Sequence, residues 1–579
     1  MVFILTVKED IMQFETIQIR NFRNFKDIKI KLSNKNVFFG MNDVGKTNFL
    51  FALRFVFDKS IRKNGFSNSD FYNKDTSSPI EIIVKINIKD INDEDNAKIR
   101  SRIKGNIRSS QDSVYIKLEA IYNESEMSAD PILYWGGDLS ELGEIRTRGY
   151  TTDLDSIFNV FYINAYVDLY RFFKKNATTL LKNDDKSDAL KMEEIRNTID
   201  VLNNKISSLS GIKKFEKEVS PQYQLYRNDS IEIKVKSEIA VNGLYENVIP
   251  YIRQEGTDNL YPTSGEGRKK LLVYSIYGLL AENEEATKIN LFLIEEPENH
   301  LHRALQLSLS RYLFNESDSK YLFLTTHSSL ILAEMDQVNL VRIYNSNKIN
   351  SASIFYEVPK EYKNLRLKLN KELSEAIFAD RVLLVEGPSE EVLFSRVLRA
   401  VNPCYEIQGI YILPVLGINF KRYIDILHAL NICCIVKTDN DLRGIKGKAK
   451  TYSLLGLTRI NDLAGLSGDS AFESQRKFET ADMVKAKREI YDENKVKLDE
   501  IRDKNKIFLS RVSLEEDLDE AIHDILDKCF SNVTDDPVEY LKNSKKYHMV
   551  ELVKKLTDDD CKKIYYHYNF ACLKEINRW

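Results

Sequence analysis

The residues Gly40-Met41-Asn42-Asp43-Val44-Gly45-Lys46-Thr47 fit the pattern G-x-x-x-x-G-K-[ST] and stand between a short apolar stretch and a run with helical spacing. Gly40 and Gly45 let the backbone around Asn42 wrap phosphate oxygens with N–H groups. Lys46 brings charge to the terminal phosphates, and the Thr47 hydroxyl can ligate Mg2+ beside the helix N-terminus. A glycine turn arising by chance would lack that strand-to-helix setting. Further along, Leu291-Phe292-Leu293-Ile294 leads into Glu295-Glu296, the arrangement of a buried strand that delivers two carboxylates at its end. Glu295 is expected to hold the nucleotide's metal through water and Glu296 to polarise an attacking water. His327, just past the apolar run 321–325, can reach the same edge, although a core histidine is the competing reading. Thr263-Ser264-Gly265-Glu266-Gly267 opens a helical run. Ser264 and its glycines can offer N–H groups to a γ-phosphate across a dimer, a signal that says little by itself.

A separate set of acids occupies the C-terminal part. Val385-Glu386-Gly387-Pro388-Ser389-Glu390 puts one carboxylate at a strand end and another four residues later, with Pro388 at a helix start. Cys433-Cys434-Ile435-Val436-Lys437-Thr438 runs into Asp439-Asn440-Asp441, a D-x-D whose strand periodicity would point both side chains the same way. Carboxylates gathered in one place repel unless a cation neutralises them, and hard oxygen donors select Mg2+ or Mn2+. Acidic loops that merely cap a parallel sheet are the plainer alternative. Just beyond, Arg443, Lys446, Lys448 and Lys450 alternate with Gly444 and Gly447. Such a flexible basic loop could grip DNA phosphates without reading bases, or could simply be solvated.

These groups need two sheets to position them. Period-two alternation over 16–22 and 27–32 predicts half-buried strands in a hairpin-like opening, with more at 80–88 and 114–121. Apolar runs at 36–39, 289–294 and 320–325 predict buried strands, and Lys46 to Phe57 carries Phe49, Leu50, Leu53 and Phe57 at helical spacing. A helix over 365–379 leads to strands at 381–385, 410–415 and 432–436 alternating with helical patterns, which predicts a second, smaller parallel sheet. In a helical insertion at about 180–240, Met192, Ile195, Ile199, Leu202, Ile206 and Leu209 form an a/d seam. It fits an intramolecular bundle and a self-association helix equally.

The 579 residues exceed what one core absorbs, and 84 Lys+Arg against 87 Asp+Glu leave a net charge of −3. Any nucleic-acid site must therefore be a local patch. No apolar run approaches the roughly 20 residues of a membrane helix, and the start offers no signal-peptide core, so a soluble cytoplasmic protein is expected. The six cysteines lack zinc spacing and fit structural, buried thiols in a reducing compartment.

Taken in chain order, phosphate loop, signature loop, Glu-Glu strand and histidine resemble the RecF/Rad50/SMC branch of ABC-type ATPases over roughly residues 12–350. Glu295 stands where those families usually carry Asp, and the signature departs from their serine-glycine-glycine. A Glu-Gly strand end followed by D-x-D resembles the Toprim pattern, here expected over 365–579. The fusion of the two resembles the OLD nuclease family, carried by "FGMNDVGKTNFL", "YPTSGEGRKK", "LIEEPE", "LLVEGPSE", "KTDNDL" and "FACLKE". The resemblance implies an α/β chain whose Glu386, Glu390, Asp439, Asp441 and Glu515, with Ser513 near them, surround two divalent metals, with Lys545 as basic partner. Ser513-Leu514-Glu515 heads an amphipathic helix, where Ser513 could equally be an N-cap. Lys542 and Lys546 leave the register of Lys545 open.

It further implies ATP binding, metal-dependent cutting of phage DNA, a helicase-like partner of the UvrD type and a homo-oligomer, dimer or tetramer. The alternative is a RecF-like repair ATPase that binds DNA without cutting it.

Overall fold

In the computed structural model the described residues are 12–40, 45–103, 111–148, 151–166, 168–174, 186–217, 234–236, 250–253, 260–262, 265–284, 287–316, 320–345, 349–415 and 417–578. They group into two compact units, one of residues 1–160, 291–298 and 306–579, the other of residues 161–290 and 299–305.

The first unit opens on an antiparallel sheet. Gln13–Phe22 lies between Phe25–Lys31 and Ile80–Asn87, followed outward by Ser113–Ala120 and Pro131–Gly136. The alternation in sequence becomes alternation in burial, with Ile80, Ile82, Val84 and Ile86 all inward. Phe14 meets Phe57, Tyr321 and Phe323 edge to face, at centroid separations of 6.1, 5.8 and 5.3 Å. Burying such a ring stabilises by about 1.5–3 kcal/mol, and here it fastens the antiparallel sheet to the one carrying the phosphate loop.

In that second sheet Ile289–Glu295, Tyr321–Thr325, Lys35–Phe39 and Val338–Asn345 run side by side in this order, with Ile349–Tyr356 antiparallel at the edge. The neighbouring pairs among the first four are parallel. Continuous apolar sequence fits strands covered on both faces, and every residue of Ile289–Glu295 and of Tyr321–Thr325 is buried.

A third sheet, all parallel, has the order Ile410–Pro414, Arg381–Val385, Cys433–Thr438, Ile507–Leu509. Its core joins Leu383, Val385 and Ile435 to Leu393 and Phe394 of helix Pro388–Val401 and to Leu518 and Ile522 of helix Leu514–Phe530. Arg342, on Val338–Asn345, ties the second sheet to the third. Its guanidinium donates to the carbonyls of Ala379 at 3.1 Å and Asn431 at 3.2 Å, and to Asp380 at 2.5 Å.

The second unit holds helices Lys186–Ser207 and Glu266–Glu284. Along the expected seam Leu202 and Leu209 are exposed, at 44% and 57%, so among the described residues the stripe lacks a full cover; the side chain of Met192 lies outside them. No described helix is long and apolar enough to cross a membrane. The cysteines are free, Cys434, Cys561 and Cys572 buried but Cys404 and Cys433 exposed, so the expectation of buried thiols fails at those two.

Candidate functional site

The nucleotide edge follows from strand order. Lys35–Phe39 pairs in parallel with Tyr321–Thr325, which pairs with Ile289–Glu295 so that Glu295 lies opposite Thr325. Three neighbouring strands thus end together, bringing Gly40, Glu295-Glu296 and His327 to one side. Gly45 has φ +105°, a backbone conformation that demands glycine, and a Cβ there would lie 1.9 Å from the side-chain nitrogen of Asn24, which would have to move aside. Helix Lys46–Phe57 begins directly after it.

Lys46 is buried with its Nζ donating to the Gly40 carbonyl at 3.1 Å, and the Thr47 hydroxyl donates to the Glu295 carboxylate. That hydroxyl–carboxylate pair is what a phosphate-bound Mg2+ would require, and the Lys46 ammonium rests on the Gly40 carbonyl. Asn42 and Ser264 lie outside the described residues; Gly265 precedes helix Glu266–Glu284.

His327 Nε2 sits 3.2 Å from Glu296 Oε1. Burial, and then the Lys46 charge, hold its pKa below the ordinary value against the pull of Glu296, so the ring favours its neutral form. Sequence reasoning missed Glu298, whose carboxylate accepts from the His327 amide at 2.6 Å and the Thr326 hydroxyl at 2.9 Å. It braces the turn that presents His327, and burial pushes its pKa up.

The acid edge is built the same way. Arg381–Val385, Cys433–Thr438 and Ile507–Leu509 are consecutive parallel strands. Glu386, Asp439 and the segment from Ser510 therefore leave the sheet side by side, although about 50 to 70 residues separate them in sequence. The Asp439 amide donates to Glu386 Oε1 at 2.8 Å, the Thr438 hydroxyl to the same oxygen at 2.6 Å, and the Ser510 hydroxyl to Asp439 Oδ1 at 3.0 Å. Pro388 starts helix Pro388–Val401 as expected, and Glu390 is buried in its first turn. Burial, then Glu386, Glu390 and Glu515, push the Asp439 carboxyl well above its ordinary range. Ionising that cluster calls for a cation, and its all-oxygen donor set fits a hard divalent one. Among the described residues no three acids or histidines already converge at coordination geometry.

Two expectations about this edge need correcting. The strand stops at Thr438, and the Asp441 amide turns back onto the Asp439 carbonyl at 3.0 Å. The D-x-D is thus a tight turn, not a strand with both acids on one face. Asp441 instead turns to Arg459 Nη2 at 2.8 Å, and the same guanidinium reaches Glu386. Arg459 had no motif to announce it. It arrives on helix Leu455–Ala464, which lies close because residue 456 is glycine: a Cβ there would stand 2.8 Å from the Asp439 carbonyl. A glycine inside a helical run was the available signal.

The basic stretch is a loop only in part. Leu442–Gly444, Thr451–Leu454 and Gln475–Lys477 form a three-stranded antiparallel ribbon. Arg443 lies on its first strand, and Lys446, Lys448 and Lys450 in the exposed connection that follows, where Lys450 donates to the Glu479 carbonyl.

Ser513 holds the N-cap position of helix Leu514–Phe530, yet its hydroxyl caps no backbone amide. It donates to the buried Glu515 at 2.7 Å and to Glu516, and Lys542 pairs with the other oxygen of Glu516. Lys545 opens helix Lys545–Lys555, but its side chain lies outside the described residues.

A family model described as an AAA ATPase domain matches residues 12–332, and one described as an overcoming lysogenization defect protein-like TOPRIM domain matches residues 377–441. The chain is 43% identical over 575 residues to "Endonuclease GajA" of Bacillus cereus (strain VD045), covering 98% of this chain and 99% of that protein. It is 22% identical over 431 residues to "Old nuclease" of Escherichia phage P2, covering 68% and 70% respectively. It is 23% identical over 462 residues to "OLD nuclease" of Thermus scotoductus, covering 75% and 83%.

Proposed function

Because the chain belongs to the OLD-like endonuclease family that includes GajA, joining an AAA ATPase domain to a Toprim domain, we propose that it is a divalent-metal-dependent DNA endonuclease of Gabija-type antiphage defence, gated by its ATPase domain. The observation that carries this reading is the delivery of Glu386, Asp439 and the Ser510–Glu515 segment by three adjacent parallel strand ends.

Glu386, Glu390, Asp439, Asp441 and Glu515 would hold the cations, Mg2+ or Mn2+, two to a site. Bound divalent ions supply activation of water and charge compensation at the leaving 3′ oxygen. The protein's own groups set the frame: the Asp439 amide and Thr438 hydroxyl fix one Glu386 oxygen, and Ser510 fixes Asp439. Ser513 orients Glu515, and Lys545 would stand by the scissile phosphate. Arg443, Lys446, Lys448 and Lys450 would hold the DNA backbone beside the cut, which positions the duplex without reading its sequence.

ATP would sit on Gly40, Asn42, Gly45, Lys46 and Thr47, its Mg2+ on Thr47 and Glu295, with Glu296 and His327 at the γ-phosphate and Ser264 supplied across a dimer. The open apolar stripe around Leu202 and Leu209 supports assembly into a dimer or tetramer. A UvrD-like helicase of the GajB type would be the partner, and the cytoplasm the place of action.

Supercoiled plasmid incubated with Mg2+ or Mn2+ tests the reading. Wild type should nick or linearise it and Glu386→Ala should not; equal inactivity of both overturns the nuclease assignment.

A further inference from the structure

Arg459 is more than nine-tenths buried, and its guanidinium lies inside the acid edge, with Nη1 on Glu386 Oε1 and the Thr438 hydroxyl and Nη2 on Asp441 Oδ2 at 2.8 Å. Its Nε has no hydrogen-bond partner. A buried donor left unsatisfied is costly, so the group is held where it is by its fork onto the two carboxylates. Each carboxylate uses one oxygen for that fork. Among the described residues no hydrogen bond reaches the second oxygen of either one. Helix Leu455–Ala464 is locked against the D-x-D turn by Gly456, whose amide donates to the Asp441 carbonyl at 3.1 Å, so Arg459 cannot simply drift away.

We propose that Arg459 is a positioning residue that keeps Glu386 and Asp441 apart and aimed while no divalent ion is bound, and that it trades metal affinity for geometry. A fixed positive charge beside the donors opposes an incoming dication, while the planar fork holds the donor oxygens where turnover needs them. Charge and fork are separable: methionine removes both, and lysine keeps the charge but cannot span two carboxylates.

The inference rests on the metal-nuclease reading above, and its test reads metal binding as well as cutting. By titration calorimetry with Mn2+ on the full chain, Arg459→Met should bind about threefold or more tighter than wild type, and Arg459→Lys about as wild type. Turnover of plasmid at saturating Mn2+ should fall by about tenfold or more in both. Melting curves establish folding, and Arg459→Gln replaces the methionine variant if that one unfolds. Unchanged or weaker Mn2+ binding in Arg459→Met, the result of a merely structural brace, overturns the proposal, as does full turnover in Arg459→Lys. Wild type that binds Mn2+ but cuts no DNA sinks the nuclease reading instead, because the affinity comparison still decides the role of Arg459.

Discussion

The Asp439 amide donates to the Glu386 carboxylate at 2.8 Å, joining the ends of two parallel strands whose residues pair Leu384 with Val436. One backbone N–H thereby ties the Glu386 carboxylate to the Asp439 backbone, 53 residues further along the sequence. Glu386→Gln keeps the acceptor for that N–H and loses the charge. It should leave the melting temperature near wild type and lower plasmid cleavage by about a hundredfold or more, since metal-dependent charge stabilisation contributes several kcal/mol. Cleavage near wild type would remove Glu386 from the site.

Gly456→Ala tests the packing that brings Arg459 to the acids. Its Cβ would stand 2.8 Å from the Asp439 carbonyl and 2.9 Å from the Asn440 Cα, backbone atoms that cannot swing aside. A cost of about 1–3 kcal/mol in stability is expected by denaturant melting, together with reduced cleavage because the turn carrying Asp439 and Asp441 must shift.

Lys437 and Asp517 form a buried ion pair behind the edge, Nζ to Oδ2 at 3.1 Å, and Asp517 also accepts the amides of Arg511 and Val512 on the approach to Ser513. Asp517→Ala strands a buried ammonium and should destabilise by about 3–5 kcal/mol, whereas the double change Lys437→Met with Asp517→Leu should recover much of that loss. Urea melts of the two variants make the comparison. Equal destabilisation would mean that the amide contacts, not the charge pair, set the stability.

Lys46→Ala should weaken ATP binding by about tenfold or more in a filter assay, each decade being about 1.4 kcal/mol, and leave Mn2+ binding at the Toprim edge unchanged. Loss of both would contradict separate sites.

Local patterns carried the sheets and the strand-end acids. The helix read over Lys46 to Phe57 has those bounds in the structure, and the apolar runs before Glu295, Glu386 and Asp439 are buried strands. What escaped depends on contacts distant in sequence. Arg459 is an ordinary helical residue until Gly456 lets its helix touch the D-x-D turn. Glu298 matters only because strand order puts it beside His327. The D-x-D reads as strand in the sequence because period-two spacing also suits a tight turn; the end of the strand at Thr438 and the Asp441 amide bond to the Asp439 carbonyl separate the two.

Anomalous diffraction from crystals soaked in Mn2+ tests the metal site itself. The account predicts peaks roughly 2.1 Å from oxygens of Glu386 and Asp439, absent in Glu386→Ala. Peaks elsewhere, with no density between Glu386, Asp439 and Glu515, would contradict it.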